Sequence, residues 1–270
     1  MSPTDLLVRP PAVAGTFYPA RADALAREVD GYLADAAPSS GPAPKVLLVP
    51  HAGYVYSGPV AATAYATLAA ARDTIERVVL LGPAHFVPLH GVGVTSADAW
   101  ATPFGLVPID DEARRAVLEV PGVRVDDRAH APEHSLEVQL PFLTRVLGEF
   151  RLLPLAVGHA EPEVVAAALD RVWGGPETLV VVSSDLSHYL SYDAARAVDR
   201  ETADAILAGN VARIHPEVAC GSYGLRGLLL VPHAHELRAR LLDLRSSGDT
   251  AGSRDRVVGY GAFAWEGTTS

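Results

Sequence analysis

Three histidines in this chain share one position in the sequence pattern. His51 stands in Pro50-His51-Ala52-Gly53-Tyr54, just after the apolar run Lys45-Val49. His85 ends Gly82-Pro83-Ala84-His85, just after Glu76-Leu81. His188 ends Ser183-Ser184-Asp185-Leu186-Ser187-His188, just after Thr178-Val182. A single histidine behind a strand is ordinarily a loop or core residue. Three at equivalent places behind neighbouring strands must point toward one crevice, because open α/β sheets bind ligands beyond the carboxyl ends of their strands. Neutral imidazole is a good ligand for iron, copper and zinc. Two histidines with an anionic third ligand and open positions suit oxygen chemistry at non-haem iron. Asp185 and His188 share one turn, so they could act as a ligand or as an orienting and acid/base pair.

A second cluster is Glu133-His134-Ser135 with Glu137. The acids could simply complement the dipole of a helix that starts there. That leaves His134 unexplained, and a side chain directed into the crevice is the functional alternative. Cys220 is the only cysteine among 270 residues that include ten histidines. A lone cysteine is usually a small buried hydrophobe, although Gly221 and Gly224 beside it fit a tightly packed turn near a site. The remaining six histidines, His90, His130, His159, His215, His233 and His235, read as incidental loop or helix-start residues. A serine-nucleophile site is disfavoured. No G-x-S-x-G elbow is present, and Ser183 or Ser184 with Asp185 and His188 lie too close in sequence to line up as a triad.

The elements that must position these residues alternate between strand-like and helical patterns. Strands are expected at Lys45-Val49, Glu76-Leu81, Gly91-Thr95, Leu106-Ile109, Arg151-Val157, Thr178-Val182 and Arg256-Phe263. Helices are expected at Asp23-Ala36, after Ser57, and over Ser135-Leu147, Pro162-Trp173, Tyr192-Leu207, Leu225-Leu230 and His235-Leu242. Runs such as KVLLV and TLVVV are apolar throughout, as strands covered on both faces are. The fold class is therefore α/β, a three-layer α/β/α arrangement with a central mixed sheet. Residues 1–270 read as one domain, with 1–44 as an N-terminal flap and linker (Ala36 to Pro44) on the main body.

Composition narrows the function classes. The chain is 49% hydrophobic and 20% charged, which is globular. A formal net charge of −10 argues against a nucleic-acid partner, since phosphate contact needs a basic face. One cysteine excludes an internal disulfide framework and an all-thiolate zinc site. Asp5 and Arg9 interrupt the first apolar run, and no run of about 18 apolar residues exists, so neither a secretory signal nor a membrane span is expected. A cytoplasmic protein is the expectation.

Six segments in order carry a resemblance to a known family. They are Arg9 to Pro19, Pro50 to Gly58, Leu81 to His85, Glu133 to Phe142, Ser183 to Tyr189, and Cys220-Gly221. In these the chain resembles the Memo family, whose prokaryotic members include AmmeMemoRadiSam system protein B. The resemblance implies a fold similar to the class III extradiol, LigB-type dioxygenases. It implies His51, His85 and Cys220 as metal ligands, with Fe(II) or copper the expected metal and zinc an alternative. His188 matches the acid/base histidine of the dioxygenases, with Asp185 nearby; His134, from the second cluster, is the further catalytic candidate. Tyr54 and Glu137, which stand in two of the motifs, are expected on the substrate side. A thiolate in place of the dioxygenases' carboxylate favours soft metals and puts ring cleavage in doubt. The implied ligand of the crevice is a small molecule or a peptide. The implied partners are an AMMECR1-like protein and a radical SAM enzyme. The alternative to a redox enzyme is a binding, adaptor or metal-sequestering protein on a relict dioxygenase fold.

Overall fold

The computed structural model describes residues 6–37 and 41–267. Part of the expected linker, residues 38–40, lies outside the described residues. The strands in chain order are β1 Val8–Arg9, β2 Val46–Val49, β3 Arg77–Pro83, β4 Val92–Val94, β5 Ala99–Thr102, β6 Gly105–Pro108, β7 Val123–Val125, β8 Arg151–Val157, β9 Thr178–Ser183, β10 His188–Leu190, β11 Leu237–Ser246 and β12 Val257–Gly267. The α-helices are α1 Ala22–Asp35, α2 Tyr54–Tyr65, α3 Asp111–Leu118, α4 Asp127–His130, α5 Leu140–Leu147, α6 Pro162–Arg171, α7 Tyr192–Leu207 and α8 Ser222–Leu228.

Nine strands form one mixed sheet in the order β10-β12-β2-β9-β3-β8-β4-β7, with β11 added on β12. The centre, β2-β9-β3-β8, is parallel. The flanks are mixed: β12 runs antiparallel to β2 and β4 antiparallel to β8. Strand alternation splits the apolar runs between two cores. Leu47, Val49, Leu80 and Val181 face one layer with Leu25 of α1, Tyr65 of α2 and Leu143 of α5. Val46, Leu48, Leu81 and Val182 face the other with Val117 of α3, Leu169 of α6, Ile206 of α7 and Leu225 of α8. All four residues of β2 are fully buried, and each such side chain stabilises the fold by about 1.5–3 kcal/mol relative to exposure. The three-layer α/β/α class expected from those runs is the one observed. Among the described residues no helix is long and apolar enough to cross a membrane.

The N-terminal piece lies against this body. β1 pairs in parallel with β5 in a small separate sheet completed by β6, and α1 packs on α2 and α5.

Three elements differ from the sequence expectation. The helix expected after Ser57 already begins at Tyr54 and holds Pro59 within it. The helix expected over His235-Leu242 is a 3-10 turn, Pro232–Glu236, followed by β11. The segment is rich in helix formers, but pairing all along β12 overrides that weak preference. The helix expected from Ser135 begins later. A 3-10 turn covers Glu137–Gln139, and α5 starts at Leu140 with Pro141 in its first turn. Pro141 has no N–H to give the Glu137 carbonyl four residues back, which accepts the Leu140 N–H in a 3-10 contact instead. The turn before Pro141 is therefore free to place Glu133 and His134 at the sheet edge.

Candidate metal centre

The carboxyl ends of β2, β3 and β9 lie side by side, so their following turns meet. Donor atoms of His51, His85 and His134 fall within 4.8 Å of one another. A cavity of about 680 Å³ opens over them and is also lined by Asp185 and His188.

His51 and His85 are each held through Nδ1. His85 Nδ1 lies 2.9 Å from Glu133 Oε1, and its backbone N–H donates to Oε2 at 2.6 Å. Glu133 also accepts the N–H groups of His134 (3.0 Å) and Ser135 (2.9 Å). Burial would raise this carboxyl, but the hydrogen bonds from His85 and its neighbours prevail and hold it at about 2. An ionised carboxylate only accepts, so His85 carries a hydrogen on Nδ1 and turns Nε2 toward the crevice as its ligand atom. A carboxylate behind the histidine in this way fixes the ring and raises its basicity as a ligand. His51 Nδ1 lies 2.8 Å from Ser183 Oγ, and its Nε2 is 3.3 Å from Cys220 Sγ. Burial, and then the neighbouring His85, His134 and His188, push His51 well below its ordinary value, so it is neutral.

His134 stacks on His85 with centroids 4.9 Å apart and planes at 17°. Phe17 covers it at 4.7 Å. Its Nδ1 is buried without a hydrogen-bond partner. Imidazoles converging from separate segments, with an unpartnered nitrogen among them, form a donor set that fits a transition metal.

Cys220 stands outside the three-histidine group but touches it through His51. The Asp185 backbone N–H donates to its sulfur at 3.3 Å. Burial, then the charge of Asp185, raise the thiol far above its usual value, so the metal-free chain holds it protonated. The Asp185 carboxyl accepts the His51 N–H at 2.7 Å. Burial raises Asp185 to about 7 against the pull of that hydrogen bond and of His85. His188 begins β10 at the cavity wall, and burial lowers its pKa.

The close fit between β3 and the Glu133 turn has a simple test. A Cβ on Gly82 would come within 2.7 Å of Ser135 Oγ and 2.9 Å of Leu136 Cδ2. Gly82→Ala is expected to cost about 1–3 kcal/mol by overpacking and to part His85 from Glu133. Chemical unfolding read beside metal titration checks this; an unchanged midpoint counts against the close-approach argument.

Three expected placements are corrected. Tyr54 is buried and does not line the cavity; its hydroxyl donates to the Val138 carbonyl at 2.6 Å. Glu137 is also fully buried and away from the crevice. Both its oxygens are used by Arg9 (2.7 Å), the N–H groups of Ala12 and Val13, and the Tyr18 hydroxyl (2.7 Å). His130, expected as an incidental loop residue, is buried, with Nε2 3.0 Å from the Gly93 carbonyl and Trp100 against its ring. Phe17, Tyr56, Tyr189 and Arg256, from four separate segments, also line the cavity; the first three stand inside quoted motifs, but nothing in their type or spacing marks them as wall residues. Tyr189 also has φ 58°, the one non-glycine residue with positive φ among the described residues. Ser183 and Gln139 stand inside quoted motifs, yet the contact of Ser183 to His51 and that of Gln139 to Ser183 depend on packing.

A three-layer α/β protein with a histidine cluster at the carboxyl ends of its central strands is the class that this fold and site define. A model of the family described as Memo-like protein matches residues 9–264, and the chain belongs to that family. A MEMO1 family protein of Aquifex aeolicus (strain VF5) is 39% identical over 264 residues, covering 94% of this chain and 97% of its own. A MEMO1 family protein of Ignicoccus hospitalis is 38% identical, covering 95% and 98%. The crystal structure of the uncharacterized protein JW3007 from Escherichia coli K12 shares the fold, with a TM-score of 0.51 and 13% identity over 80% of this chain and 98% of that one.

Proposed function

We propose that the crevice is a metal-dependent redox centre similar to that of the non-haem iron dioxygenases. His51, His85 and Cys220 are its ligands, and Fe(II) or copper is its metal. The observation that carries the reading is the pair of strand-end imidazoles each held through Nδ1, with His51 Nε2 3.3 Å from the Cys220 sulfur. Two ligands of one metal, at usual M–N and M–S lengths and a near-tetrahedral angle, lie roughly 3.3–3.6 Å apart. The bound metal would supply a Lewis-acidic, redox-active centre that takes O₂ or substrate. Cys220 must give up its thiol proton to join it, so binding is expected to release protons and to tighten as pH rises. His188 faces the open side as a proton acceptor. Asp185, with a pKa near neutrality, holds or releases a proton beside it while fixing the His51 backbone.

The test is anaerobic reconstitution with Fe(II) or Cu followed by elemental analysis. His51→Ala with His85→Ala is expected to bind no stoichiometric metal, and binding equal to wild type overturns the ligand assignment. X-ray absorption decides the third ligand: a metal–sulfur contribution lost in Cys220→Ser supports the cysteine, and its absence transfers that place to His134.

One observation favours a binding role for the same crevice. Its neighbourhood exposes large aromatic side chains, Tyr189 at 64% and Phe86 at 58%, a pattern associated with recognition of a small molecule or peptide. Metal-loaded protein that consumes no O₂ across a catechol panel yet binds peptides supports that role. Work beside an AMMECR1-like protein and a radical SAM enzyme remains part of the proposal and predicts co-purification with either.

A further inference from the structure

The hydrogen bonds behind His51 form a chain in which every hydrogen can be placed. The Pro50 carbonyl can only accept, so the amide nitrogen of Gln139 faces it at 2.9 Å. The Gln139 oxygen then accepts the Tyr65 hydroxyl at 2.8 Å. The second Gln139 N–H goes to Ser183 Oγ at 2.9 Å. The Ser135 carbonyl can likewise only accept, so the single hydroxyl hydrogen of Ser183 goes to it at 2.7 Å. What remains on Ser183 Oγ is lone pairs. One takes the Gln139 N–H; the other faces His51 Nδ1 at 2.8 Å. That contact is a hydrogen bond only if His51 donates. Tyr65, Ser135, Gln139 and Ser183 are all at most 1% exposed, so a reversed hydrogen would leave a buried carbonyl or amide group unpaired. Each such loss costs about 1–3 kcal/mol.

The geometry points to Ser183 and Gln139 as positioning residues that lock His51 in its Nδ1–H tautomer and leave the Nε2 lone pair free for a ligand. The same end is reached at His85 by a charged partner, Glu133. His51 reaches it with neutral groups alone, which add no charge to the centre. The two imidazoles therefore differ as ligand donors: the carboxylate behind His85 makes it the stronger, and the hydroxyl leaves His51 the weaker. The inference deepens the proposed function, since it rests on His51 as a metal ligand for its consequence but not for the tautomer itself.

Nitrogen-15 NMR of the histidine side chains in metal-free protein tests it. Wild type is expected to show His51 with a protonated Nδ1 and an unprotonated Nε2. Ser183→Ala removes the acceptor and is expected to move a measurable fraction to the Nε2–H tautomer, whereas Ser183→Thr keeps the hydroxyl and the wild-type signature. His85, held by Glu133, is the internal control and stays Nδ1-protonated in all three. A wild-type His51 protonated on Nε2, or a tautomer ratio unmoved by Ser183→Ala, overturns the inference. Titration with Fe(II) then addresses the separate reading. Ser183→Ala is expected to bind about 10–100-fold more weakly. Unchanged affinity with a shifted tautomer leaves the positioning role standing and removes His51 from the ligand set.

Discussion

Glu133→Gln is expected to weaken metal binding by about 10–100-fold, the usual effect of removing the group behind a ligating histidine. The carboxylate accepts four hydrogen bonds, two of them from His85. An amide has only one acceptor oxygen, and its NH₂ would oppose N–H donors on the other side. The ring of His85 then loses both its orientation and its tautomer. Isothermal titration with Fe(II) under anaerobic conditions measures the loss; affinity within twofold of wild type sinks the argument.

The same substitution has a pH signature. Glu133 sits at about 2 in the fold against a reference of 4.5. A depressed carboxyl favours the folded state when ionised, so its contribution of about 3 kcal/mol is present above the unfolded value. It is lost as pH falls from about 4.5 toward 2, because the unfolded chain takes up the proton first. Urea unfolding of metal-free protein between pH 6 and 3 is expected to show a shallower acid slope for Glu133→Gln than for wild type. Parallel slopes would mean that other carboxyls govern acid stability.

The second large effect concerns the N-terminal segment. The guanidinium of Arg9 is buried. It donates to Glu137 Oε2 at 2.7 Å, to the Glu133 carbonyl at 2.7 Å and to the His130 carbonyl at 2.9 Å. Its face also lies 4.3 Å from the centre of the Trp100 ring. One residue thus ties the flap to the turn that carries Glu133 and His134. Arg9→Ala leaves the Glu137 charge buried with a reduced set of partners, and is expected to cost about 3–5 kcal/mol. Replacing Arg9 by Met and Glu137 by Leu together removes both charges and is expected to cost less than the sum of the two single changes. A double-mutant cycle by denaturant unfolding checks this. Additive costs would show that the pair acts independently. Because Phe17 covers His134 from the same segment, Arg9→Ala is also expected to loosen the crevice wall.

The sequence by itself determined the central strands of the sheet and most of the histidine cluster. Runs such as KVLLV and TLVVV are apolar on both faces, and only a strand between two helical layers buries both. His51, His85 and His188 follow such runs directly, so parallel pairing of neighbours had to bring them to one edge. Local pattern carries that information because strand ends are fixed by the residues next to them.

What only the tertiary structure decided depends on partners far apart in the chain. Glu137 and Tyr54 stand in motifs beside site residues, yet their side chains turn into the body, where Arg9, Tyr18 and Val138 satisfy them. Leu237–Ser246 holds helix formers but pairs with β12 as a strand. The tautomer of His51 follows from Gln139, Ser183 and Ser135, brought together across separations of 44 and 48 residues. Hydrogen-bond direction is set by which acceptors lie within about 3 Å, and no spacing along the chain encodes that distance. The single cysteine lies between the two cases. The family motif picks it out, and folding places its sulfur against the His51 lone pair.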